Sequence, residues 1–176
     1  CIFLFYGHGC NGKSTLMSGL ESILTEIFYT PVDTSVLIDG NKSAGATPEL
    51  IPLKQSRVGI LSETKRKDKL NQSGVKTLTG NDKLYARKLY CEAEAFYCYC
   101  KFAIISNNKP KVDVEQSIKD RMKLIPFTAR YSDNPKDGEL KKDVDFARKL
   151  TNDYIDELFT WIVLGSMTWY ADKILE

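Results

Sequence analysis

Histidine is nearly absent from this 176-residue sequence: His8 stands alone. The five cysteines, at positions 1, 10, 91, 98 and 100, include no C-x-x-C pair, and Cys98-Tyr-Cys100 has no histidine near it. That pattern argues against a zinc site and against a disulfide framework, and it fits a reducing compartment. Long apolar runs are also missing. The best stretch, Phe159 to Met167, is broken by Thr160, Gly165 and Ser166, far from the ~18 residues a membrane helix needs. Net charge is small, with 25 Lys and Arg against 23 Asp and Glu. There is no repeat and no low-complexity tract. Residues 1–6 lack the basic flank and cleavage site of a signal peptide. They read instead as a buried strand, and the expectation is an intracellular domain cut from a longer chain.

What remains is an ordinary globular composition, 43% hydrophobic and 27% charged, enough for one domain of this length. Short apolar runs alternate with helical periodicity. Strands are expected at 2–6, 58–61, 101–106 and 122–125. Helices are expected at 13–29, with Leu16, Leu20, Ile23, Leu24 and Ile27 on one stripe, at 64–77, at 114–119, and from 143 onward. Tyr85 to Tyr90 and Tyr97 to Cys100 alternate like strands. Strands alternating with helices predict an α/β fold with a mainly parallel sheet.

Gly7-His-Gly-Cys-Asn-Gly12-Lys13-Ser14 fits G-x-x-x-x-G-K-[ST] without a gap, after a strand and before a helix. Gly7, Gly9 and Gly12 suit backbone angles that side chains resist. Such a loop turns its N–H groups inward around phosphate, and the following helix adds its positive end. Lys13 is expected to neutralise phosphate charge, and the Ser14 hydroxyl to ligate Mg²⁺ beside ATP. The nucleotide-binding set is Gly7, Gly9, Asn11, Gly12, Lys13, Ser14 and Thr15. Hydrolysis also needs a carboxylate near the γ-phosphate. Glu63, just past the strand Val58–Leu61, is the candidate, and a second Mg²⁺-linked group. Asn107 follows the strand ending at Ser106, where an amide can orient water; from spacing alone it reads equally well as a turn residue.

Together these pieces resemble the superfamily 3 helicase domain of the primase-helicases of large DNA viruses, the poxvirus type, and of related phage and plasmid primases. The resemblance rests on Gly7–Thr15, Ser62-Glu-Thr64, Lys76-Thr-Leu-Thr-Gly-Asn-Asp82 with Arg87, Ser106-Asn107-Asn-Lys-Pro110 and Arg121-Met-Lys-Leu-Ile-Pro-Phe127. It implies a P-loop NTPase with an AAA+-like core over 1–130 and a helical part of the same domain over 131–176. It also implies a hexameric ring around single-stranded DNA, and an upstream primase domain. Under it Glu63 matches the catalytic acid, Asn107 a sensor, and Arg121 the arginine that reaches a neighbour's nucleotide. Two residues depart from the common pattern: Ser62 stands where many ring ATPases have Asp, and Asn81 replaces a glycine.

Charge is uneven along the chain. Residues 54–90 hold ten of the Lys and Arg residues but three of the Asp and Glu. In the resembling helicases a hairpin in this interval grips DNA. Arg87 and Lys88, with tyrosines nearby, are the candidates here, since cations on phosphates bind without regard to sequence; Arg87 held structurally by Asp82 is the other reading. The phosphate motif also fits two other readings. One is a small-molecule or nucleotide kinase. The other is a nucleotide-binding ring-assembly module without activity of its own.

Overall fold

The computed structural model describes residues 1–38, 47–62, 70–80, 82–108 and 115–172. In chain order the elements are β1 (Ile2–Tyr6), α1 (Lys13–Phe28), β2 (Tyr29–Pro31), β3 (Val58–Ser62), α2 (Gln72–Thr79), β4 (Lys83–Ala86), β5 (Glu94–Tyr97), β6 (Lys101–Ser106), α3 (Gln116–Lys119), β7 (Met122–Pro126), β8 (Tyr131–Ser132), β9 (Leu140–Lys141), α4 (Phe146–Arg148) and α5 (Ile155–Asp172). A five-stranded sheet runs in the order β2-β3-β6-β1-β7. All its pairings are parallel. The expected α/β architecture with a parallel sheet is therefore present. The buried strands are near-continuous apolar runs because both faces are covered.

Strand alternation sorts these runs between two packing layers. Ile2, Leu4, Leu61, Phe102 and Ile104 face one layer, which also holds Val36, Leu37, Leu53, Val75, Leu78 and Ile118. Phe5, Val58, Ile60, Ala103 and Ile105 face the other, against Met17, Leu16, Leu20 and Leu24 of α1. Burying side chains of this size stabilises by about 1.5–3 kcal/mol each.

Several sequence expectations need correction. Ile27 lies off the α1 stripe and is exposed. Thr25 has φ 58 and ψ 174 inside the helix, so the positions after it rotate away from the sheet. α1 ends one residue short of its expected limit, because the chain has already turned extended at Tyr29. The expected 64–77 helix begins later, at Gln72, where Asn71 caps it by accepting a hydrogen bond from the Gly74 N–H at 3.0 Å; residues 63–69 lie outside the described residues. The part after 130 is not purely helical, since β8 and β9 pair before α4. In the helical part expected from 143 onward, Leu158 is buried while Tyr154 is exposed. The contact with α1 is close: a Cβ on Gly19 would meet Leu158 Cδ2 at 2.6 Å.

Candidate functional site

The C-terminal end of a parallel sheet is where loops converge on ligands. Here β1 runs into residues 7–12 and then into α1, while β6 and β3 end beside it. The sequence places Gly7, Gly9, Asn11 to Thr15, Glu63 and Asn107 at one site on separate grounds. Gly9 to Thr15, Ser62 and Ser106 to Asn108 line one cleft of about 780 Å³, within the usual range for small-molecule sites.

The loop's geometry is set by packing as much as by glycine content. Gly7 has φ 150, and a Cβ there would lie 2.2 Å from the Phe127 carbonyl oxygen. Gly12 has φ 88 and caps α1. Gly9 takes no left-handed angle; Cys10 does, at φ 59. So the reading that assigned the special angle to Gly9 moves one residue on, to a side chain for which αL is uncommon. The segment after β7 braces the loop, a feature that the motif did not reveal. Phe127 N–H extends the ladder to Tyr6 O at 2.8 Å, and Tyr131 N–H donates to Cys10 O at 2.8 Å. Asn11 Nδ2 donates to Phe127 O at 3.2 Å. The Phe127 ring sits edge-on to Phe5 at 5.8 Å. Gly7→Ala is therefore expected to displace Phe127 and cost roughly 1–3 kcal/mol in backbone strain alone; a lowered thermal midpoint together with lost nucleotide binding is the expected result, and an unchanged midpoint would show the clash to be relieved.

Lys13 is 4% exposed. Its ammonium donates to Gly7 O at 2.7 Å, Asn11 Oδ1 at 2.9 Å and His8 O at 3.4 Å, and it lies 3.5 Å from Asn107 Oδ1. Each of these partners is a neutral oxygen. Burial holds the Lys13 pKa below the usual lysine value. A desolvated cation whose partners among the described residues are all neutral favours an anion at the same place. Phosphate fits that requirement. Ser14 is exposed on the first turn of α1, and Thr15 is half-buried beside it, so a hydroxyl is available to a cation. Ser62 is exposed at the end of β3. Glu63 and Asn81 lie outside the described residues.

Asn107 follows β6, and β6 is hydrogen-bonded directly to β1. That adjacency, invisible in the sequence, brings its amide to Lys13. Arg121 is elsewhere. It precedes β7 at the opposite end of the sheet, with Met122 in register with Ile2 and Pro126 with Tyr6. About 13 Å of strand therefore separates it from the loop of its own chain. Its Nη1 donates to Ser117 O at 2.6 Å.

The basic segment forms an antiparallel hairpin, β4 with β5. The strand expected over Tyr85–Tyr90 ends at Ala86, because Arg87 and Lys88 begin the connection and Tyr90 takes φ 60. Arg87 is anchored by its backbone: its N–H donates to Thr47 Oγ1 at 3.2 Å, and its carbonyl accepts from the Thr47 N–H at 3.0 Å. No ion pair links it to Asp82 among the described residues, and its side chain is exposed, as is that of Lys88. Tyr97 closes β5, and Cys98 to Cys100 continue without pairing. Burial pushes the Cys100 thiol up to about 12, the state of a core side chain.

No helix among the described residues is long and apolar enough to cross a membrane. A family model described as "Family of unknown function (DUF5906)" matches residues 5–121. A putative helicase, L207/L206, of Acanthamoeba polyphaga mimivirus is 33% identical over 73% of this chain and 14% of its own length. Putative helicase 022R of Frog virus 3 is 30% identical over 85% of the chain and 16% of its own. Primase D5 of Fowlpox virus is 26% identical over 97% of the chain and 22% of its own. The chain thus spans less than a quarter of these relatives. The fold also matches the apo structure of the NrS-1 C-terminal region, with a TM-score of 0.65 at 20% identity, over 89% of this chain and 35% of that one. The chain belongs to the DUF5906 family, and its relatives among large DNA viruses bear the names helicase and primase.

Proposed function

We propose that this chain is the ATP-hydrolysing motor domain of a DNA helicase, a P-loop NTPase with an AAA+-like core that moves single-stranded DNA during genome replication. The observation that carries the reading is Lys13, a buried ammonium surrounded by neutral oxygens, with the Asn107 amide beside it.

Bound ATP with Mg²⁺ supplies the transferable phosphoryl group. Gly7, Gly9, Asn11, Gly12 and Thr15 shape the loop that holds its phosphates, and Lys13 neutralises their charge. The Ser14 hydroxyl serves the metal, with Glu63 as the second group toward it and as the acid that polarises water. Asn107 orients the water or reads the terminal phosphate. Among the described residues that line the cleft, Lys13 is the one cation. The developing charge of the transition state calls for a further cation, and a guanidinium suits it. Arg121 of a neighbouring copy fits that need, because Arg121 is too far along the sheet to serve its own chain. The site is thus shared between copies, which supports a ring, with six as the number the family resemblance implies. Arg87 and Lys88 on the hairpin grip the DNA backbone. The kinase alternative needs such cations over its own site. A primase domain in the same polypeptide, and work at an intracellular site of viral replication, complete the proposal.

The test is ATP hydrolysis by the assembled protein, with and without single-stranded DNA, across a salt series. The expected result is a DNA-stimulated rate whose stimulation declines as salt rises, because cation–phosphate contacts release counterions. A rate indifferent to DNA on assembled protein would sink the motor and favour the kinase.

A further inference from the structure

The outward face of the β4–β5 hairpin carries chemistry that the two tip cations do not explain. Alternation divides the hairpin in two. Leu84, Ala86 and Phe96 point into the core, while Lys83, Tyr85 and Tyr97 point outward. Lys83 pairs with Tyr97 in the ladder, and its ammonium lies 5.6 Å from the Tyr97 ring centroid. The alternation continues past the strand: Cys100 turns in and Tyr99 turns out. The Tyr99 ring lies 6.5 Å from that of Tyr97, and the Arg57 guanidinium lies 5.9 Å from its centroid.

Four of the chain's nine tyrosines fall between residues 85 and 99. All four are exposed: Tyr85 69%, Tyr90 103%, Tyr97 44% and Tyr99 60%. Large rings left in water on the open side of a hairpin, beside cations, form a stripe from Arg57 and Tyr99 through Tyr97 and Lys83 to Tyr85. Glu94 on the same hairpin is neutralised by Lys54 at 2.5 Å. Asp82 and Glu92 are the other acids of the described hairpin.

Flat π surfaces interleaved with cations match a polymer that alternates flat bases with phosphates. An acidic peptide would use the cations and leave the rings without partners. We propose that this face is a base-stacking subsite for single-stranded DNA. Tyr97 and Tyr99 stack on bases, Lys83 and Arg57 hold the adjoining phosphates, and Tyr85 continues the path toward the Arg87 and Lys88 tip. The proposal rests on the DNA reading above and deepens it, since the tip requires only a backbone and this face requires bases.

The experiment compares binding of a labelled oligo-dT and an abasic strand of equal length and charge, by fluorescence anisotropy at several salt concentrations. Circular dichroism melts check that each variant is folded. Wild type is expected to bind oligo-dT about tenfold more tightly than the abasic strand. Tyr97→Ala with Tyr99→Ala erases that preference and leaves the salt slope in place, and Tyr97→Phe with Tyr99→Phe retains both. Arg87→Ala with Lys88→Ala does the converse, reducing the salt slope to the part that Lys83 and Arg57 supply and keeping the preference. Equal, salt-sensitive binding of both strands by wild type would overturn the stacking face and spare the DNA reading. A base preference that survives the double alanine variant would overturn it as well. No binding of either strand by folded wild type would overturn both.

Discussion

Arg121→Ala lowers ATP hydrolysis by about 10³-fold or more, the range for losing an arginine that acts on transferring phosphate, while each subunit still binds nucleotide. The physical basis is separation. The guanidinium is tied to Ser117 O at 2.6 Å, at the end of the sheet where Met122 pairs with Ile2, whereas the glycine loop follows Tyr6 at the opposite end. No rotamer of one arginine spans that length of strand, so its catalytic use demands a second copy in head-to-tail contact. Mixing separates this from a structural role. Arg121→Ala subunits retain a sound loop, and Lys13→Ala subunits retain a sound Arg121. A one-to-one mixture is expected to recover about a quarter of the wild-type rate, because roughly one interface in four combines both intact halves. Recovery of nothing, in mixtures shown to co-assemble, would place Arg121 outside the site.

Lys13→Ala produces the second large effect. Hydrolysis falls by at least about 10²–10³-fold, the scale for removing one preorganised charge partner from a transition state. The fold should survive. The change leaves Asn11 Oδ1 and Gly7 O without their donor, at about 1–3 kcal/mol for an unsatisfied buried group. It also removes a desolvated cation that has no carboxylate partner among the described residues, which offsets that loss. Thermal melting reads both halves. Saturating nucleotide raises the wild-type midpoint, by about 2.7 kcal/mol of stability at a hundred times Kd, and leaves the variant's midpoint unmoved. A ligand-induced shift that persists in Lys13→Ala would remove Lys13 from the phosphate site.

The same residue sets a pH dependence. Burial lowers the Lys13 pKa in the free protein, and phosphate binding favours the charged form, raising it. Nucleotide affinity is then full below the free-protein pKa and is lost as pH rises through it. The loss sets in at lower pH than an ordinary lysine would give, and isothermal titration across alkaline pH measures it.

Much of this protein was legible in its sequence. The parallel sheet followed from apolar runs such as Phe102–Ser106, because strands covered on both faces need no polar alternation. The glycine loop was legible because its residues are contiguous and its chemistry is local. Other features depended on which elements became neighbours. Asn107 was an ambiguous turn residue until β6 paired with β1, a contact across a hundred positions that no local signal encodes. The same holds for Phe127 and Tyr131, whose backbone braces the loop and makes Gly7 the position where a Cβ has no room. Helix boundaries failed where one backbone angle, at Thr25, broke a periodicity that composition supported. The tyrosine stripe was half visible, since Tyr97 and Tyr99 alternate with cysteines in a pattern that also suits a core strand. Alternation determines that two side chains share a face, and the packing of Leu84, Ala86 and Phe96 against the sheet decided which face meets water. Local chemistry and periodicity were therefore set by the sequence itself, while the meeting of distant residues, and the side of each element left exposed, were decided by tertiary packing, because those depend on pairing free energies summed over the whole chain.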